Sequence, residues 1–170
     1  MYKRQVYALS YASPSIYTFN IDSTAGALTQ VGNPTAVTIG YGGGNSSAYV
    51  TNIFALDVNS KFLFVDKTYQ DSYGGTSSID TFKIDAVTGI PSYGSTTAVV
   101  SYPGGSSGFA LDPTGSYLYL THRGMSKIYV LSIDPLTGTT AVIQTVTNPL
   151  GYSEKWSRKF EQHDKWKLRA

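Results

Sequence analysis

Two adjacent side chains, His122 and Arg123, offer the clearest chemistry in this 170-residue chain. An imidazole titrates near neutrality and can serve as a general base. A guanidinium can grip a carboxylate or a phosphate through a two-pronged fork of hydrogen bonds. Adjacent residues of a strand point to opposite faces, so the pair converges only if the chain turns at that point. Gly124 supplies a residue suited to such a turn. The alternative is a pair of solvated residues at a strand end. Other chemistries find no support. The chain has no cysteine, which removes disulfides, thiolate metal sites and thiol nucleophiles. With two histidines and no G-x-S-x-G, neither a metal-ligand spacing nor a hydrolase triad pattern is present. No cofactor is expected.

The pair belongs to the stretch FALDPTGSYLYLTHRGMSKIYVLSID, residues 109–134. It reads as three short strands joined by two tight turns. Pro113-Thr114-Gly115 reverses the chain after Asp112, with proline presetting φ and glycine tolerating the positive φ that follows. Tyr117–Thr121 and Ile128–Ile133 are aromatic, aliphatic and β-branched runs typical of pleated strands. Phe109, Leu111, Tyr117, Tyr119, Ile128 and Val130 are its expected packing residues.

The stretch recurs. Phe54-Ala55-Leu56-Asp57 matches Phe109-Ala110-Leu111-Asp112, and Phe62–Val65 matches Tyr117–Leu120 at the same spacing. Phe82–Asp85 matches Leu131–Asp134 after residues 69–76, which read as a longer loop. An earlier copy, Val6–Leu9 with Ile16–Asp22, aligns on 118–134. Superposition places Lys67 and Ser10 at the His122 position, and Thr68 and Tyr11 at the Arg123 position. If these strand ends share one rim, His122 and Arg123 are the candidate catalytic residues, with Lys67 and Tyr11 as candidate substrate contacts. Asp57, Asp85, Asp112 and Asp134 also recur in register. Each opens a turn, where aspartate bonds its own downstream backbone, so a structural role is expected.

Each copy ends in a weaker fourth strand: Leu28–Val31 continued by Ala36–Ile39, Thr97–Val100, and Ala141–Thr147. Four short antiparallel strands in about 50 residues is the spacing of propeller blades. A β-sandwich also shows strands at short intervals, but the repeated F-A-L-D, aromatic strand and Φ-x-I-D favour blades. The fold class is therefore all-β: β-propeller blades of four antiparallel strands, about three blades, an incomplete propeller. Residues 1–150 form it, with blades at about 5–40, 53–100 and 108–147. The first copy lacks its F-A-L-D strand, while closed rings generally need at least about four blades. Open blade faces of this kind point either to a piece of a longer protein or to self-association. The Gly-rich runs 40–47 and 101–108 occupy equivalent places and lead into strands, as interblade crossovers rather than phosphate cradles, which need a helix N-terminus.

The charge balance, 13 basic against 11 acidic residues, argues against a nucleic-acid partner. It shifts along the chain: residues 153–170 hold six Lys/Arg, three acids and both tryptophans. This tail, taken as 151–170, is basic and aromatic, and reads as a surface helix or as a non-native ending. No apolar run reaches the roughly 18–20 residues of a membrane helix, and no apolar signal-peptide core follows Met1. Compartment stays open between bacterial cytoplasm and export or periplasm.

The segments 109–134, FALDVNSKFLFV (54–65) and IYTFNIDSTAGALTQVG (16–32) resemble the lactonase-type seven-bladed β-propellers, the group containing 6-phosphogluconolactonase and the YVTN-repeat proteins. The resemblance covers about residues 5–150. The literal Tyr49-Val50-Thr51-Asn52 is expected to precede the inner strand, and Tyr119-Leu120-Thr121-His122 stands at the family's Y-V-T-N position. In the lactonase branch a segment like N-R-G-H-x-S-I follows, whose Arg and His line the active-site end of the channel. Here Arg123, Gly124 and Ile128 fit it and Met125 replaces the His. The resemblance implies hydrolysis of a small sugar lactone, an ester whose carbonyl must be polarised while a water is activated. The other reading is a non-catalytic propeller for binding or scaffolding at the cell envelope, with an unknown ligand.

Overall fold

The computed structural model describes residues 5–10, 13–38, 47–71, 74–101, 106–122 and 126–147. These hold twelve strands in three antiparallel sheets. The first sheet contains β1 (Gln5–Ser10), β2 (Ser15–Ile21), β3 (Leu28–Gln30) and β4 (Thr35–Ala36). The second runs in order through β5 (Ser47–Leu56), β6 (Phe62–Asp71), β7 (Gly74–Ile84) and β8 (Pro91–Ser101). The third repeats this order with β9 (Ser106–Leu111), β10 (Tyr117–His122), β11 (Lys127–Ile133) and β12 (Thr140–Thr147). Each later sheet is thus a four-stranded meander, the blade expected from the repeat. In the first sheet β3 and β4 both pair with β2, at its two ends. They are two pieces of one outer strand, separated by Gly32-Asn33-Pro34, where proline removes a ladder donor. Its β1 is the counterpart of β6 and β10.

Aspartate closes the turns in every copy. The Asp57 carboxylate accepts from the Asn59 and Lys61 amides, and that of Asp112 from the Thr114 and Tyr117 amides. The second kind of turn repeats three times. Asp22, Asp85 and Asp134 each accept from the amides two and three residues on, and Gly26, Gly89 and Gly138 then take positive φ. Amides from Ala25 and Thr24 hold the Asp22 carboxyl below its ordinary range, and those of Thr137 and Leu136 do the same for Asp134. At Asp112 burial pushes upward, but the bonds from Thr114, Tyr117 and Ser116 outweigh it and the net direction is down.

The sheets stack face to face, and the middle one is buried on both sides. Along β6 the run Phe62-Leu63-Phe64-Val65 has almost no exposure, and strand alternation sends its members to opposite seams. Phe62 and Phe64, with Ile79, pack against Leu118, Leu120, Tyr129, Leu131 and Ile133 of the third sheet. Leu63 and Val65, with Phe82 and Ile84, pack against Ile16 and Val37 of the first, flanked by Tyr7 and Leu9. Side chains also bond across the seams. Tyr7 Oη donates to the Gly89 carbonyl at 2.9 Å, and Thr35 Oγ1 to that of Pro91 at 2.8 Å. Thr81 Oγ1 donates to the Gly138 carbonyl at 3.1 Å, and Thr97 Oγ1 to that of Thr140 at 2.8 Å.

Three expectations need correction. Much of residues 69–76 continues the β6–β7 hairpin instead of looping out, with Tyr69 opposite Thr76, Gln70 opposite Gly75 and Asp71 opposite Gly74. Tyr49–Asn52 lies inside the inner strand β5, not before it. The reason is a bulge: Val50 pairs with Lys67 but Phe54 with Val65, so β5 carries extra residues against β6. In the third sheet the buried set is Leu118, Leu120, Tyr129, Leu131 and Ile133, with Phe109 and Leu111 beside it. Tyr117, Tyr119, Ile128 and Val130 lie on the opposite face, which no described sheet covers. Tyr117 is 41% exposed, whereas its counterpart Phe62 is 4% exposed. The 151–170 tail lies outside the described residues.

Candidate functional site

The matching strands β1, β6 and β10 carry the equivalent positions Ser10, Lys67 and His122. Arg123 and Tyr11 lie outside the described residues, as does Met125. Lys67 and His122 both occupy the face of their sheet that looks toward the preceding sheet. For Lys67 this follows from Leu63 and Val65, which share its parity and pack on the first sheet. For His122 it follows from Leu118 and Leu120, which share its parity and pack on the second.

Lys67 is held firmly. Its Nζ lies 2.7 Å from Asp80 Oδ2 and donates to the Thr38 carbonyl at 3.0 Å. Asp80 is fully buried. Its other oxygen accepts from Thr96 Oγ1 at 2.5 Å, and that hydroxyl lies 3.0 Å from Tyr93 Oη. Two of the three ammonium donors are thereby engaged by described residues. The side chain joins the first sheet to the second from the middle of β6, not from a strand end as the sequence comparison implied, because β6 continues to Asp71.

His122 is 2% exposed, so it is not a solvated turn residue. It closes β10, opposite Lys127 of β11 and Ser106 of β9. Tyr129, on the same face, has its phenol pushed upward by burial. Among the described residues no cluster of three or more His, Asp or Glu could hold a metal ion. No described helix is long and apolar enough to cross a membrane.

Two acidic residues escaped sequence reasoning. Asp66 and Asp80 are both fully buried, yet neither opens a turn as Asp22, Asp57, Asp85, Asp112 and Asp134 do. The available signal was parity. Asp66 continues the face of Phe62 and Phe64, and Asp80 that of Phe82 and Ile84, with no Gly or Pro beside them to mark a loop. A carboxylate on an otherwise apolar strand face must find a partner when that face is buried.

With this geometry in view, comparison with known proteins is informative. The family model described as Lactonase, 7-bladed beta-propeller, matches residues 2–149. No match is found among curated protein sequences. Among solved structures, the periplasmic gluconolactonase of Pseudomonas aeruginosa superposes with a TM-score of 0.65 at 19% identity, covering 86% of this chain and 38% of that one. A Bacteroides fragilis protein classed provisionally as a 6-phosphogluconolactonase gives 0.63 at 16% identity, with coverage of 86% and 38%. A protein from Lactobacillus plantarum gives 0.60 at 18%, with coverage of 84% and 38%. The chain therefore spans about two fifths of the length of these structures. The three stacked four-stranded sheets and the family match over nearly all of them place the chain in the lactonase family of seven-bladed β-propellers.

Proposed function

We propose that this chain belongs to a protein that hydrolyses a small sugar lactone. The observation that carries the reading is the family match across residues 2–149, together with basic residues at equivalent strand positions, Lys67 and His122. Lactone opening needs a polarised ester carbonyl, a stabilised oxyanion and an activated water. In this reading Arg123 holds a carboxylate or phosphate of the substrate, or the developing oxyanion, through its fork. Lys67 and the Tyr11 hydroxyl extend the same polar rim. His122, buried at the end of β10, contributes charge and position next to Arg123. Turnover of δ-gluconolactone by the chain and by Arg123→Ala tests the reading.

Self-association is part of the proposal. The face bearing Tyr117, Tyr119, Ile128 and Val130 repeats the one bearing Phe62, Phe64, Ile79 and Thr81, which the third sheet buries. The open face of the first sheet, with Phe19 and Ile21, repeats the one bearing Phe82 and Ile84, which the first sheet covers. The third sheet of one copy is thus suited to receive the first sheet of another in a head-to-tail contact.

A further inference from the structure

We infer that Asp66 and His122 form an ion pair across the seam between the second and third sheets, with Asp66 as the residue that positions and charges the imidazole. Phe64 of β6 and Leu120 of β10 belong to one apolar cluster in that seam. Asp66 lies two residues beyond Phe64, and His122 two residues beyond Leu120, each on the same face as its predecessor. The pairing of β6 with β7 is regular through Asp66, and that of β10 with β11 is regular through His122. The bulges on their other edges put the extra residues in β5 and β9, so β6 and β10 keep their parity. As repeat counterparts, β6 and β10 run the same way and bring both groups to one end of the seam. Both are buried.

The neighbouring seam shows what the arrangement replaces. There the counterpart of His122 is Lys67, and its carboxylate is Asp80 of the same sheet. In the third sheet the counterpart of Asp80 is Tyr129, which carries no anion. The carboxylate comes instead from the facing sheet, as Asp66, whose own counterpart in the first sheet is the apolar Leu9. Each seam therefore sets one basic position against one buried carboxylate, and only the origin of the acid changes. The described titratable groups on this part of the seam are Asp66 from β6, His122 from β10, and Lys127 and Tyr129 from β11. Ser77 and Thr81 of β7, buried on the face of Ile79, add hydroxyls to this side of the sheet. Lys127 stands opposite His122 but is half-buried, whereas His122 is buried as deeply as the carboxylate.

A buried carboxylate favours the imidazolium over the neutral ring. Resting on the lactone-directed reading, this makes His122 a charged donor beside Arg123 rather than a general base. The pair itself stands without that reading. The chain has two histidines, so imidazole NMR resolves His122, with His163 as an internal reference assigned through His163→Gln. Asp66→Asn is expected to lower the His122 titration midpoint by about one unit or more and to leave His163 where it was. An unmoved His122 midpoint overturns the pair. Should Asp66→Asn fail to fold, the nitrogen shifts of the unaltered chain decide. Both His122 nitrogens protonated at pH 7 supports the pair, and a neutral tautomer overturns it. Absence of lactone turnover would count against the proposed function and leave this result standing.

Discussion

Lys67 Nζ lies 2.7 Å from Asp80 Oδ2, and the same ammonium donates to the carbonyl of Thr38 in the segment that follows β4. One side chain thus neutralises a fully buried carboxylate and ties two sheets together. Removing one member of a buried pair leaves the other desolvated and unmatched, which typically costs about 3–5 kcal/mol. Lys67→Met is therefore expected to lower the unfolding free energy by about 3 kcal/mol in urea titrations followed by circular dichroism. Adding Asp80→Leu should recover part of the loss, because no charge is then stranded. A loss of about 0.5 kcal/mol or less, as for an exposed pair, would show that the contact is incidental.

Gly138 and Gly26 offer a matched comparison. Both have positive φ, 72° and 68°. A Cβ on Gly138 would come within 2.5 Å of Phe62 Cδ1, whereas a Cβ on Gly26 would meet nothing within 4 Å. Gly26→Ala should carry only the backbone penalty of roughly 1 kcal/mol. Gly138→Ala should lose a further 1–3 kcal/mol or so, since Phe62 must move within the seam it fills. Melting temperatures measured by calorimetry should separate the two variants by several degrees. Equal melting temperatures would mean that the seam yields freely around Phe62.

The open face of the third sheet predicts concentration-dependent assembly. Sedimentation velocity should find the chain associated, and Tyr119→Lys or Val130→Lys should shift it toward smaller species. Both substitutions put a charge where an incoming sheet would desolvate it. A compact monomer at all concentrations, unaffected by either change, would remove self-association from the account.

Much of the fold could be read from residues. The repeat marked Phe62–Val65 as a strand, and it lies in the middle sheet with its alternate residues buried in opposite seams. The recurring aspartates announced the turns they close. Parity in the third sheet was harder, because Tyr117 and Tyr119 are as apolar in pattern as Leu118 and Leu120. Which set is buried depends on which neighbour is present, and that is not a local property. The hairpin beyond Tyr69 was hidden by Gly74 and Gly75, whose loop-like composition is overridden by pairing with Asp71 and Gln70. The equivalence of Lys67 and His122 was legible, and the two occupy matching positions of β6 and β10. Asp66 and Asp80 were not, since a carboxylate in a strand reads as solvent-facing until the next sheet is laid over it.

The most direct measurement is δ-gluconolactone hydrolysis at constant pH by the chain and by Arg123→Ala, with folding of both verified by circular dichroism. The account predicts turnover above the spontaneous rate and a loss of about 100-fold in the variant, the scale for removing a group that stabilises developing charge. Equal rates at the spontaneous background for both proteins would contradict it.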